Sequence, residues 1–219
     1  MVTYDALRQD AAINTYITRA DESLSALGYT EHSFPHVCRV AELAGEVLRV
    51  MGYSEHEIEL ARIAAYLHDI GNLVNRVDHS QSGAVMAFRL LDHMDMDAAD
   101  IATVVTAIGN HDEGTGVPVN ATAAALILAD KSDVRRNRVR NRDIATFDIH
   151  DRVNYSVEHS ALRIIPEEKV VLLELTVDTK FSSVMDFFEI FMKRMLLCRR
   201  AAERLDLRFQ LTINGQQLI

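Results

Sequence analysis

Residues 61–72 read ARIAAYLHDIGN, an apolar helical run that closes on His68-Asp69. Imidazole and carboxylate are the donors that borderline and hard divalent metals share. Two adjacent donors at a helix end can splay to two sides, one toward each of two ions. His36, His79, His111 and Asp130 extend the pattern, each at a helix end or on an apolar face, where a lone polar group is costly to bury. A fold that accepts these residues has to bring the six together, and this constrains the chain more than any other feature. Nine His in 219 residues is only somewhat rich. His32, His56, His93, His150 and His159 lack such placement and read as capping or surface residues.

Periodicity supplies the elements. Val37, Val40, Ala41, Ala44, Val47, Leu48 and Met51 recur at three and four, a buried helical stripe. Pro35 suits the first helical position, with Ser33 or Phe34 at the cap. Ser54 and Glu57 have capping-box spacing ahead of the helix that ends on the doublet, and Gly71 is read as its stop. Ser80 or Ser82 opens a helix running through Leu91. Asp97 and Asp100 open another, with Ile101, Val104, Val105 and Ile108 on one face. Residues 119–136 form a last strong helix carrying Asp130. The donors therefore come from different helices and converge inside a bundle.

The period changes in the tail. Residues 152–165 and 169–178 are rich in β-branched residues and are joined by Pro166-Glu167-Glu168, the pattern of a hairpin. Residues 182–205 follow as a long apolar-faced helix and 207–214 as a final strand. The fold class is mainly α: a helical bundle over residues 1–144, then a small α+β unit of ββαβ order over 145–219. No chemistry is read in this second unit. Its sheet edge or its Phe/Met-rich helix offers a homodimer surface.

Composition excludes several classes. The content, 48% hydrophobic and 25% charged, is that of an ordinary globular chain. No apolar run approaches the roughly eighteen residues of a membrane span, and the first sixteen residues lack a secretory pattern. Cys38 and Cys198 lie far apart, Cys38 as a packed thiol rather than a ligand, which fits a cytoplasmic protein. A net charge of −9 and a pI of about 5.4 disfavour bulk nucleic-acid binding. Residues 135–142, RRNRVRNR, are the local exception, with five Arg and no acid.

The ordered set resembles the HD superfamily of metal-dependent phosphohydrolases. The likeness runs from HVCRVAELAGEVL (His36) through AAYLHDIGN and DHSQSGAVMA (His79) to AIGNHDE (His111) and ILADKSDVRR (Asp130), over roughly residues 30 to 140. The resemblance implies that His36, His68, Asp69 and Asp130 hold one metal. It implies a second ion on Asp69, His79 and His111, with Asp69 bridging. Fe, Mn, Zn, Co or Mg are the candidate ions. Two departures stand out: Asn72 occupies the place of the Lys in the HDIGK of many relatives, and the GYP element of the cyclic-dinucleotide phosphodiesterases is missing.

The chemistry implied is hydrolysis of a phosphoester or phosphoanhydride of a small phosphorylated substrate, a nucleotide among the candidates, by a metal-activated water. Asp69 and Lys131 are its expected catalytic residues. If the Asp130 helix continues, Lys131 and Arg135 share a face, and Arg138 lies roughly 12 Å along the axis from Asp130. These three are the expected phosphate-binding residues; a solvated basic face on an acidic protein is the competing reading. A di-iron HD-fold oxygenase and a metal-bound regulatory or sensor module are the alternative functions.

Overall fold

A computed structural model describes residues 2–219. Two helices, α1 (Tyr4–Gln9) and α2 (Ala11–Ala26), precede the first helix marked by periodicity; Asp10 ends one and caps the other. α3 (Phe34–Val50) begins after Ser33, with Pro35 at its second position. α4 (Glu55–Leu67) opens on the expected capping box, Ser54 and Glu57 each bonding the other's backbone N–H. Its end is His68. Asp69 then leads into a short 3-10 turn, Ile70–Leu73, without a side-chain cap.

Gly71 serves close approach rather than helix termination. A Cβ there would lie 2.0 Å from the carbonyl oxygen of His79 and 2.4 Å from the amide nitrogen of Gly83. The missing side chain lets the doublet turn press against α5 (His79–His93). That helix starts at His79, ahead of either expected serine, because Asp78 before it takes a left-handed conformation (φ 56°) and directs the chain inward.

α6 (Ala98–Gly109) is capped by Asp97 and α7 (Ala121–Ser132) by Asn120. From Thr122 to Ser132 every residue of α7 is buried, so this helix runs through the middle of the molecule. It stops at Ser132 instead of continuing through Arg136. Asp133 turns the chain, Arg138 Nη1 donates to its carbonyl at 2.6 Å, and Arg136–Arg138 form a 3-10 turn.

The tail carries a further correction. Residues expected to begin a strand form α8 (Ile149–Ser156), because Asp148 caps it through the Asp151 N–H and the capped turn prevails over β-branched composition. β1 (Val157–Ile165) then pairs antiparallel with β2 (Val170–Val177) across the Pro166–Glu168 turn. α9 (Val184–Arg204) crosses over to β3 (Arg208–Ile213), which lies parallel to β2, and a two-residue β4 (Gln216–Gln217) follows. The sheet order is β1-β2-β3-β4.

Phe187, Phe191, Met195 and Cys198 of α9 are buried, whereas Met185, Met192 and Leu196 stay exposed. One continuous apolar core includes α3, α4, α7, α9 and both long strands, and Cys38 packs against it. Among the described residues no helix is long and apolar enough to cross a membrane.

Candidate metal centre

The six expected donors converge, and each is aimed by its local structure. His68 Nδ1 is 2.7 Å from Ala65 O, His79 Nδ1 3.1 Å from Arg76 O and His111 Nδ1 2.6 Å from Ile108 O. Each ring thus meets the carbonyl three residues before it, at a helix start or end. His36 Nδ1 is instead 2.8 Å from the Asp133 carboxylate. Carbonyls and carboxylates only accept, so all four imidazoles carry a proton on Nδ1, and each ring in its neutral form has its lone pair on Nε2.

Those lone pairs face one another. His79 Nε2 and His111 Nε2 are 3.2 Å apart. His36 Nε2, His68 Nε2 and Asp69 Oδ2 are buried with no hydrogen-bond partner. Buried polar atoms rarely stay unpaired, since each such atom costs roughly 1–3 kcal/mol. At His36, His68 and Asp69, buried atoms converging without a hydrogen-bond partner fit a cation.

The carboxylates divide the donors. Asp69 Oδ2 lies 3.1 Å from His68 Nε2 and 3.6 Å from His36 Nε2, while its Oδ1 lies 3.6 Å from His79 Nε2. Asp130 Oδ1 lies 3.5 Å from His36 Nε2 and 3.8 Å from His68 Nε2. Two donor groups result, His36 with His68 and Asp130, and His68 with Asp69 and His111; the atoms of each lie within 4.8 Å of one another. His79 adjoins the second group through both His111 and Asp69. Burial pushes the His111 and His79 rings toward the neutral form that ligation needs. Burial alone would raise the Asp69 and Asp130 carboxyls, but His68 beside the first and Lys131 beside the second hold both well below the usual carboxylate range.

Several residues around the donors take roles that the sequence did not assign them. Asp133 is fully buried, and besides His36 it meets Arg39 Nε at 3.2 Å, Arg135 Nη2 at 2.9 Å and Arg138 Nη1 at 3.5 Å. Its only sequence signal is a position three residues after Asp130. Asn72 Nδ2 donates to Asp69 Oδ1 at 3.0 Å and so fixes the doublet carboxylate. His32, expected at the surface, stacks edge-on against His36 at 5.4 Å and lines the cavity in front of the donors, as does exposed His150.

That cavity measures about 440 Å³, within the usual range for a small-molecule site. Asp69, His79, His111 and Asp130 reach it, together with Lys131 and Arg138; Arg135, expected on the same face, is turned onto Asp133 and is not part of its wall. Lys131 is buried, its Nζ 2.7 Å from Asp130 Oδ2 and 2.8 Å from Glu113 Oε2. The tail takes part as well, since Phe191 and Arg194 of α9 form one side of the wall.

Comparison with known proteins identifies a family. A family model for the HD domain matches residues 34–153. An uncharacterized protein of Methanocaldococcus jannaschii is 26% identical over 195 residues, a stretch covering 78% of this chain and 74% of that protein. No solved structure matches the chain.

Proposed function

This chain belongs to the HD-domain family, and on that premise we propose that it is a phosphohydrolase acting on a small phosphorylated substrate through two divalent ions. One observation carries the reading: His36 and His68 turn unpartnered Nε2 atoms toward one oxygen of Asp69, His79 beside His111 meets the other, and Asp69, His79 and His111 open onto a cavity that Arg76, Lys131, Arg138 and Arg194 help to line. In the proposed assignment His36, His68, Asp69 and Asp130 hold one ion, and Asp69, His79 and His111 the other. Divalent ions so held supply a water acidified toward neutral pH and offset charge on a phosphoryl oxygen. Mixed imidazole and carboxylate donors suit Fe, Mn, Co or Zn better than Mg alone.

The chain's own residues do the rest. Asp69 turns Oδ2 toward His36 and His68 and Oδ1 toward His79, and Asn72 holds Oδ1 by a hydrogen bond. Lys131, paired with Glu113 as well, orients Asp130. Arg138 reaches the cavity wall from its pairing with buried Asp133. The cavity volume suits a phosphorylated metabolite up to the size of a nucleotide.

The test is to strip the protein with chelator, reload it with single metals and screen phosphate esters and anhydrides for phosphate release. Metal-restored hydrolysis is expected. A fully loaded protein that releases no phosphate from any of them, or that consumes O₂ instead, contradicts the reading.

A further inference from the structure

The cations around the cavity are not equivalent. Lys131 lies between the carboxylates of Asp130 and Glu113. Arg194 Nη2 lies 3.4 Å from Glu113 Oε1, and Arg138 is paired with buried Asp133. Charges matched in this way are already offset and are held by their partners. Arg76, in the turn before His79, has no carboxylate at ion-pair distance among the described residues. Its Nη1 donates to Asn72 Oδ1 at 3.3 Å, and its guanidinium stands 5.4 Å from the centre of the Tyr29 ring. An amide oxygen and an aromatic ring orient a guanidinium without neutralising it.

Its position is equally specific. Nη1 is 3.5 Å from His79 Nε2, so the guanidinium borders the donor atoms and faces the cavity. Asn72 joins it to the reaction centre, since the same amide donates to Asp69 Oδ1 and accepts from Arg76. The half-buried arginine carries an unmatched charge and several N–H donors beside the donor cluster, the complement of a phosphate dianion.

We infer that Arg76 is the substrate-anchoring residue, gripping the non-reacting oxygens of a terminal phosphoryl group while Lys131 acts on Asp130 as a positioning residue. This assignment rests on the phosphohydrolase reading above. Tyr29, from the segment between α2 and α3, closes over the guanidinium and sets its direction before substrate arrives.

Calorimetric titration of the metal-loaded full chain with inorganic phosphate tests it, on wild type, Arg76→Ala and Arg76→Lys, with metal content measured on each. Arg76→Ala is expected to weaken phosphate binding roughly ten- to a hundredfold, as loss of a charge-assisted contact does. Arg76→Lys, which keeps the charge without the fork, should recover part of it. Metal content should be unchanged in both. Wild type that binds phosphate and hydrolyses esters, with Arg76→Ala binding phosphate equally well, overturns the assignment and leaves the phosphohydrolase reading standing. Loss of metal from Arg76→Ala also overturns it, making Arg76 a support for His79. Wild type that neither binds phosphate nor hydrolyses any ester removes both.

Discussion

An imidazole whose Nδ1 proton is already committed has one atom left to offer, and four such rings turn that atom to the same place. Asp69 completes the arrangement by facing both sides. Asp69→Ala should abolish hydrolysis and weaken both ions, with helix content kept because the surrounding helices carry their own apolar stripes; near-wild-type turnover would remove Asp69 from the mechanism. Asp133 supports the set from outside. Asp133→Asn leaves a hydrogen-bond partner for His36 but removes the charge that balances three arginines. Metal affinity, read by competition with a chromophoric chelator, is expected to fall roughly 10–100-fold, as it does when partners behind a ligand are altered. Unchanged affinity would make Asp133 a purely structural anchor. The donors were legible in the sequence because residue type and helix-end placement mark them. Asp133 and Arg76 were not, because their roles depend on what faces them: Asp133 meets His36 across 97 positions, and Arg76 matters for the carboxylate it lacks.

Some helix starts were readable, since caps are local chemistry: Ser54 with Glu57 and Asp97 act where the sequence places them, whereas the α5 start at His79 and the Asp148 cap of α8 were not read. Helix ends were less so. α7 ends where buried Arg138 takes the Asp133 carbonyl, a tertiary contact that no window of residues contains. The basic run then fastens this exit to distant segments. Arg136 Nε donates to Tyr155 O at 2.6 Å, Arg138 Nε to Glu31 O at 2.9 Å, and Arg140 pairs with Asp21. Gly71 shows the same limit, because its meaning lies in the neighbouring helix rather than in its own turn. A methyl group there has the backbone of His79 and Gly83 in its way, besides the Ser82 hydroxyl. Gly71→Ala should therefore cost about 3 kcal/mol or more, the upper end for overpacking, and should lower metal affinity as the doublet turn moves off α5. Denaturant midpoints and metal titration check both, and a variant as stable as wild type would show that the contact can relax.

At the scale of the whole molecule, the two N-terminal helices close the bundle against α4, and a buried phenol reports that closure. Tyr66 Oη donates to Asn14 Oδ1 at 2.8 Å, linking α4 to α2. Burial pushes its pKa up to about 12, whereas an unfolded tyrosine ionises near 10. Between those values the folded chain keeps a proton that the unfolded chain releases, so the contribution is complete below about pH 10 and is lost as pH rises toward 12. Phenolate absorbance in the native protein should lose, in Tyr66→Phe, a step well above the free-tyrosine value near 10, and the same substitution should flatten the alkaline fall in stability. The strand-and-helix tail also belongs to the whole, since Phe191 and Arg194 reach the cavity from α9; periodicity revealed those elements but not the face they present. In the proposed centre, six donors from five parts of the chain hold two ions through a shared carboxylate. Elemental analysis at saturating metal, on wild type and on His111→Ala, reads this out. Two ions per chain are expected in the first and one in the second, the remaining ion held by His36, His68, Asp69 and Asp130. One ion or fewer in wild type, or two retained by His111→Ala, would contradict it.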